Sequence, residues 1–122
     1  MVRKMLSNFE KNAVCTRAFN TKEINQMARS YAEDVRQVMP VEKAFLFGSY
    51  AKGEASELSD VDICFFLKDF NGKQRVEIIT EMLSLSGKYT NAAIEPLAFE
   101  SAEMQNGNPF VCEILATGKE LL

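Results

Sequence analysis

The sequence predicts an α/β (α+β) fold in which helices pack on a short mixed β-sheet. Apolar residues recur at helical spacing from Ile24 to Val38, and two apolar runs at 43–47 and 61–67 have the length of buried strands. A second helical pattern separates the later run from a third one. With 122 residues, of which 47% are hydrophobic, the chain is long enough for one domain with its own core.

The predicted order of elements is α, β, turn, β, α, β, α. The first helix begins at Thr21 and ends before Pro40, because a proline restricts the residue before it to non-helical backbone. The other elements are strands over 43–47, 61–67 and 92–99, and helices over 73–86 and 109–117. We assign the domain to residues 21–122 and treat residues 1–20, whose apolar pattern is weak, as an N-terminal appendage.

The connections between the strands predict how they pair. No crossover helix fits between the first two strands, so they are expected to be antiparallel. The second and third strands flank a helix and are expected to run parallel. Pro96 cannot donate a hydrogen bond to a sheet ladder, so the third strand is expected to lie at an edge or to end there.

Composition excludes several classes of function. The net charge of −3 and the isoelectric point near 5.0 disfavour extended nucleic-acid binding, which depends on a basic surface. Histidine is absent, so no Ser–His or Cys–His nucleophilic pair can form within the chain, and a general base has to be a carboxylate, Lys, Tyr or Cys. No apolar stretch has the length of a transmembrane helix or the form of a secretory signal, so no membrane association is expected.

The three cysteines, Cys15, Cys64 and Cys112, are widely spaced and odd in number. This pattern disfavours a disulfide framework and a zinc site, and reduced thiols are typical of a cytoplasmic protein. Cys64 and Cys112 lie in apolar runs, and we interpret both as small buried residues.

Two phenylalanine pairs occur in the apolar runs, Phe45 with Phe47 and Phe65 with Phe66. Aromatic side chains in strands of this kind contribute chiefly to a core. We therefore interpret them as core residues and not as platforms on which a nucleobase stacks.

Two aspartates at the start of the strongest predicted strand are the first candidates for chemistry. Asp60 and Asp62 are two residues apart, so their side chains point to the same face, with Cα atoms roughly 6.5–7 Å apart. Carboxylates at that spacing repel each other unless cations lie between them, and two Mg²⁺ ions about 3.5–4 Å apart would fit. The alternative is that both acids lie at a fraying strand end and face water.

Gly48 and Ser49 directly follow the first predicted strand. A glycine there allows the backbone to approach a phosphate closely, and backbone N–H groups with a hydroxyl can bind its oxygens. The alternative is a tight turn followed by a helix cap. A phosphate-binding turn and a carboxylate pair on adjacent strand ends are together more specific than either one alone.

The spacing of these residues resembles a known family. Gly48-Ser49, ten residues and then Asp60-x-Asp62 is similar to the signature of the DNA polymerase beta-like nucleotidyltransferase superfamily. The longer string FGSYAKGEASELSDVDICFF resembles the minimal nucleotidyltransferases, known as MNT proteins, as do the segments IEPLAF and NPFVCEILATGKELL. The resemblance covers about residues 22–122 and implies a nucleotidyltransferase fold.

The resemblance also implies roles for the nucleotide-binding residues. Gly48 and Ser49 would bind the β- and γ-phosphates of a nucleoside triphosphate. Lys52 stands where many members have arginine and could pair with a phosphate without arginine's bidentate geometry. A solvated surface lysine is an equally open interpretation of Lys52.

A third carboxylate is expected from the family pattern. Asp60 and Asp62 would ligate two catalytic Mg²⁺ ions, and Glu95, on the third predicted strand, is the candidate for the further ligand that the family uses. Some members have aspartate there, and glutamate is longer by one methylene. Glu95 could also accept a proton, or it could be an ordinary exposed acid beside Pro96.

The function implied by the resemblance is magnesium-dependent transfer of a nucleoside monophosphate, AMP from ATP, to an acceptor hydroxyl. Many MNT proteins pair with a small helical HEPN protein, a toxin ribonuclease. The MNT protein is then the antitoxin, and some add AMP to a tyrosine of the toxin. Two alternatives stay open: a nucleotide- or partner-binding module without turnover, and a transferase that acts on RNA or a small molecule. The sequence leaves the acceptor, the base preference and any oligomerisation open.

Overall fold

The computed structural model describes residues 21–53, 60–90 and 92–122, so the predicted appendage at 1–20 lies outside the described residues. Helices and strands alternate within these ranges and form a mixed α/β domain, as the sequence predicts. In chain order they are α1 (Thr21–Arg36), β1 (Val41–Phe47), α2 (Ser49–Lys52), β2 (Val61–Leu67), α3 (Arg75–Leu85), β3 (Ile94–Glu100), α4 (Pro109–Thr117) and β4 (Lys119–Glu120). Short 3₁₀ helices follow α3 at Ser86–Lys88 and β3 at Ser101–Gln105. None of the described helices is long and apolar enough to cross a membrane.

The strands form one four-stranded sheet in the order β3-β2-β1-β4. β1 pairs antiparallel with β2, and β2 pairs parallel with β3 across the α3 connection, so both predicted pairings are confirmed. The third strand is an edge strand, as Pro96 predicts.

The outer side of β3 is largely closed to further pairing. Pro96 offers no N–H group, and the Arg75 side chain of α3 donates from Nε to the carbonyl oxygen of Ala98 at 2.8 Å. The same guanidinium lies 5.0 Å from the ring centre of Phe99 and bonds Glu103 at 3.0 Å. One side chain thus fixes α3 against the sheet edge.

Several element boundaries differ from the prediction. β1 begins two residues early, at Val41, because β2 is long enough to pair with it as far as Leu67. α3 begins two residues late, at Arg75, because the Gln74 and Glu77 side chains form a capping box that sets its start. β4 was not predicted, since two charged residues carry no strand pattern.

The two sides of the sheet have different covers. Alternation along β2 points Val61, Ile63, Phe65 and Leu67 to one side and Cys64 and Phe66 to the other. The first side is covered by α1 and α3, and we call it the α1–α3 face. The second is covered by α4, and we call it the α4 face. Its buried residues are Phe45, Cys64, Phe66, Phe99, Val111 and Ile114.

The α1–α3 face is the main core. Tyr31 of α1 is fully buried there, packs edge-to-face on Phe65 with ring centres 5.9 Å apart, and donates its hydroxyl to the Met82 carbonyl oxygen at 2.5 Å. Burial raises the pKa of the Tyr31 phenol well above its usual range, so it stays a neutral donor. This hydrogen bond ties α1 to α3.

α4 forms over the predicted residues. The Asn108 side-chain oxygen accepts from the backbone N–H of Phe110 at 2.9 Å, and Pro109 occupies the first turn. Cys64 is buried as predicted, but Cys112 is exposed, which corrects that interpretation. The reason is the helical spacing of α4: Val111 and Ile114, three residues apart, face the sheet, so Cys112 faces outward.

Candidate active site

Three strand ends meet at one edge of the sheet and bring the predicted residues together. β1 ends there at Phe47, whose Cα partner on β2 is Asp62. Because β3 runs parallel to β2, it begins at the same edge, where Glu95 is the Cα partner of Asp62. The antiparallel–parallel order of the sheet therefore places the Gly48 turn and two of the acids side by side.

These acids lie on the α4 face. Asp62 is two residues before Cys64, and Glu95 is two residues before Leu97, and both of these apolar residues belong to the α4 face. Asp60 precedes the strand, two residues before Asp62, and is exposed. The carboxylates thus continue the α4 face beyond the point where its apolar packing ends.

Gly48 lies directly against the Asp62 carboxylate. Gly48 has φ 75° and ψ −149°, a conformation open essentially to glycine alone. A Cβ atom at this position would overlap Asp62 Oδ2 and stand 3.2 Å from Asp62 Cγ. Glycine is therefore required twice, for the backbone turn and for the space that the carboxylate occupies.

The electrostatics of Asp62 reflect this crowding. Burial, and to a smaller extent the nearby charges of Asp60 and Glu95, together raise the pKa of the Asp62 carboxyl to about 6. The three carboxylates therefore create a common negative potential, and Asp62 is the least solvated of them. A field of this kind favours a bound cation.

The donor chemistry fits magnesium. Carboxylate oxygens are the ligands that Mg²⁺ takes from proteins, usually one or two carboxylates together with phosphate oxygens of the substrate. Over residues 21–53, 60–90 and 92–122, however, no three His, Cys, Asp or Glu side chains stand close enough to hold a metal ion. The carboxylates thus share charge without forming a complete ligand set, and metal ligation by Asp60, Asp62 and Glu95 stays a prediction.

The predicted phosphate-binding residues lie at the start of α2. Ser49 is its first residue and is half-buried, and the Lys52 N–H donates to the Gly48 carbonyl oxygen at 3.1 Å, which closes the turn. Lys52 Nζ lies 3.0 Å from Glu113 Oε2 of α4. Lys52 therefore has a protein partner, which neither sequence interpretation included, and its contact with phosphate stays a prediction.

Two further side chains border the site and were missed from the sequence. Glu113 reaches Lys52, and the Phe110 ring packs edge-to-face on Phe47 with ring centres 5.9 Å apart. The available signal was their helical spacing, since Phe110 and Glu113 are three residues apart and lie off the buried stripe of α4. The predicted core role is confirmed for Phe45, Phe65 and Phe66, which are buried, while Phe47 is only half-buried.

Acidic residues at strand ends, beside a glycine–serine turn on a mixed sheet, are the arrangement expected of a nucleotidyltransferase. This is the class of enzyme that the sequence motifs resemble. Residues 28–116 match the family model described as "Nucleotidyltransferase domain". This range covers most of the chain and includes every predicted site residue. The chain therefore belongs to the nucleotidyltransferase domain family and is a nucleotidyltransferase by class.

Curated relatives agree with this family. "Putative protein adenylyltransferase MJ0141" of Methanocaldococcus jannaschii is 30% identical over 81 residues, which cover 64% of this chain and 81% of that protein. "Putative protein adenylyltransferase MJ1215" of the same organism is 39% identical over 41 residues, which cover 34% of this chain and 48% of the relative.

Solved structures with low sequence identity share the fold. A "putative nucleotidyltransferase" from Sulfolobus solfataricus superposes with a TM-score of 0.55 at 22% identity, over 70% of this chain and 75% of the other. A chain of a toxin–antitoxin complex solved with AMP-PNP gives 0.53 at 18% identity, over 77% and 72% of the two chains. A mutant of the toxin–antitoxin complex MntA-HpeT gives 0.51 at 15% identity, over 85% and 73%.

Proposed function

We propose that this chain transfers AMP from ATP to a hydroxyl group of a partner protein, with Mg²⁺ held by Asp60, Asp62 and Glu95. One observation carries the proposal: the Asp62 carboxylate lies against Gly48, in the turn that leads into Ser49, and beside Glu95 in the sheet register. A phosphate bound at the turn would thus lie next to the acids.

Residues of this chain would have the following roles in the reaction. Gly48 lets the turn lie directly against the Asp62 carboxylate. Backbone N–H groups of this turn would bind the β- and γ-phosphates, and the Ser49 hydroxyl would donate to a phosphate oxygen. Asp62, the most desolvated of the acids, would help to position the α-phosphate. Bound Mg²⁺ would supply charge neutralisation and favour ionisation of the attacking hydroxyl.

The reaction itself needs no covalent enzyme intermediate. The acceptor oxygen forms a bond to the α-phosphorus, the bond from that phosphorus to the oxygen bridging to the β-phosphate breaks, and pyrophosphate leaves. Glu95, which is exposed at the strand start, accepts the hydroxyl proton. Positioning and electrostatic stabilisation then provide most of the acceleration.

A protein acceptor is supported by the relatives, not by the geometry. MJ0141 is named as a protein adenylyltransferase, and two solved neighbours belong to toxin–antitoxin complexes. Together with the resemblance to MNT proteins, these names support an antitoxin that modifies a toxin of the HEPN class. They also support ATP as the donor nucleotide.

The first test is Asp62→Asn with labelled ATP and Mg²⁺. We expect transfer to fall at least a hundredfold while the fold is kept, because the variant removes one negative ligand at constant shape. The matched control is Asp69→Asn at the opposite end of β2, whose side-chain oxygen can still accept from the Asn71 N–H. Full activity of Asp62→Asn would refute the mechanism.

The acceptor is identified by incubating the protein with labelled ATP and Mg²⁺ in cell lysate. A labelled protein that co-purifies with the chain supports the proposal, and an AMP group joined to a tyrosine oxygen by a phosphodiester bond in a small helical partner supports the antitoxin role. Labelled RNA or a labelled small molecule would instead support the corresponding transferase. Binding of ATP without any labelled product would favour a binding module.

A further inference from the structure

An exposed aromatic ring lies on the same side of the sheet as the carboxylates. Phe110 is 45% exposed although the cluster beneath it is almost fully buried. The other large apolar side chains that are exposed among the described residues are Val38, which follows α1, and Val76 and Leu83, which lie on α3. Phe110 is thus the exposed apolar group that belongs to the α4 face.

The flank of α4 that carries Phe110 is turned towards α2. Phe110 and Glu113 are three residues apart and share one flank of the helix, while Val111 and Ile114 point into the sheet. Glu113 reaches Lys52 of α2 at 3.0 Å. Because this ion pair bridges the two helices, the flank that carries Phe110 faces the end of β1.

Ring contacts place Phe110 between Phe47, next to the turn, and Phe99, whose ring centre lies 6.2 Å away. Phe110 meets Phe47 edge-to-face, with ring centres 5.9 Å apart and an interplanar angle of 86°. Phe47 is covalently joined to Gly48, and it pairs in register with Asp62. Phe47 therefore connects the Phe110 ring to the turn whose residues are proposed to bind phosphate.

We propose that Phe110 is a substrate-contacting residue on which the nucleobase of the bound nucleotide stacks. The inference rests on the proposed function, since it requires the triphosphate at Gly48 and Ser49. An aromatic ring offers an apolar face without hydrogen-bonding groups, and such a face stacks on any base. The contact would therefore strengthen binding of the nucleoside part without selecting between purines by hydrogen bonds.

The test compares ATP with inorganic tripolyphosphate, which carries the same phosphates without a base. Binding of each to the full chain is measured by calorimetry in the presence of Mg²⁺. We expect Phe110→Ala to weaken ATP binding about tenfold, within the range found when a stacking side chain is truncated. Tripolyphosphate binding should be unchanged. Phe110→Tyr, which keeps the ring, should restore ATP binding.

Two further variants make the result specific. Val76→Ala truncates an exposed apolar side chain on α3 and should leave both ligands unaffected. Phe110→Leu keeps an apolar side chain over Phe47 but has no flat ring, so it carries the test if Phe110→Ala does not fold. It should weaken ATP binding less than the alanine variant and also leave tripolyphosphate binding unchanged.

The outcomes separate this inference from the proposed function. If the wild-type protein binds neither ATP nor tripolyphosphate, the proposed function fails. If it binds ATP and the folded Phe110 variants bind ATP equally well, the stacking role is wrong while the proposed function stands. Equal loss of both ligands would also overturn the role, because it would mean that Phe110 only supports the turn. An effect confined to the KM of a protein acceptor would assign Phe110 to the acceptor instead.

Discussion

The two faces of the sheet are packed by the same kinds of residues but closed to different extents. On the α1–α3 face the buried cluster runs the whole length of β2, from Val61 to Leu67. On the α4 face the cluster stops at Cys64, and the next position along the strand is the half-buried Asp62. α4 covers only part of its face because it is nine residues long.

The α1–α3 face therefore contributes mainly to stability, whereas the α4 face carries the candidate active site. A fully covered face gains free energy from burial of its whole apolar surface. At the end of the partly covered face, Asp62 is half-buried against Gly48, and Glu95, its partner in the sheet register, is exposed. Substitutions on the two faces should therefore differ in which property they change.

The largest expected effect on stability is at Phe65 on the α1–α3 face. Phe65→Ala removes a fully buried ring that packs on Tyr31, and we expect a loss of about 3–5 kcal/mol in the free energy of unfolding. Urea denaturation measures it. The fraction that stays folded should bind ATP normally, and a folded variant that does not would show that the two faces are coupled.

Two glycine substitutions give the next largest effect. Gly48→Ala and Gly53→Ala both place a side chain at φ 75°. Only the Gly48 Cβ would overlap Asp62, since no atom of the described residues lies within 4 Å of a Cβ at Gly53. We expect a loss of about 1 kcal/mol for Gly53→Ala and about 2–3 kcal/mol for Gly48→Ala by thermal denaturation.

Activity distinguishes the same pair of glycine variants. Gly48→Ala should abolish nucleotidyl transfer because the added methyl group displaces the carboxylate of Asp62. Gly53→Ala should retain transfer because its Cβ does not approach Asp62. Comparable activities for the two variants would mean that the position of Asp62 against Gly48 is unimportant.

The smallest effect concerns the pH dependence of stability without metal. The Asp62 carboxyl has a pKa raised to about 6, against about 3.9 in an unfolded chain, so the folded state binds its proton more tightly. The stability that this group contributes is present below pH 4 and is lost as pH rises through 6. In EDTA, Asp62→Asn should therefore be more stable than wild type at pH 7, by about 1–2 kcal/mol after allowance for solvent screening.

Magnesium should reverse this difference. Added Mg²⁺ is expected to raise the midpoint of thermal unfolding of the wild-type protein and to have little effect on Asp62→Asn, because a ligand of the folded state stabilises it. Wild-type and variant curves that coincide at every pH in EDTA would show that burial and the neighbouring acids do not raise the pKa of Asp62.

The sequence predicted most reliably those elements whose local signals agree with their tertiary setting. β2 was predicted over the residues it occupies because it is a continuous apolar run, and α4 because Pro109 and Gly118 mark both of its ends. β4 carries no such signal. Its two residues form a strand because they pair with β1, where Lys43 also bonds Glu120 at 2.7 Å.

The candidate site was predictable in part for a related reason. Gly48, Ser49 and the two aspartates lie within fifteen residues, so their spacing alone suggested a shared site. Phe110 and Glu113 reach the same region only because the chain returns along α4, roughly sixty residues later. A contact of that sequence separation depends on packing, which helical spacing on its own does not reveal.

The protected outer side of β3 has a consequence for how the molecule can associate. An unpaired strand edge invites copies of a protein to join edge to edge, the first step towards fibrous aggregates. Pro96 and the guanidinium of Arg75 remove a donor and an acceptor from that edge. Contacts with other proteins are therefore directed to side-chain surfaces, whose shape and charge can select a partner, and away from backbone pairing, which any extended peptide could supply.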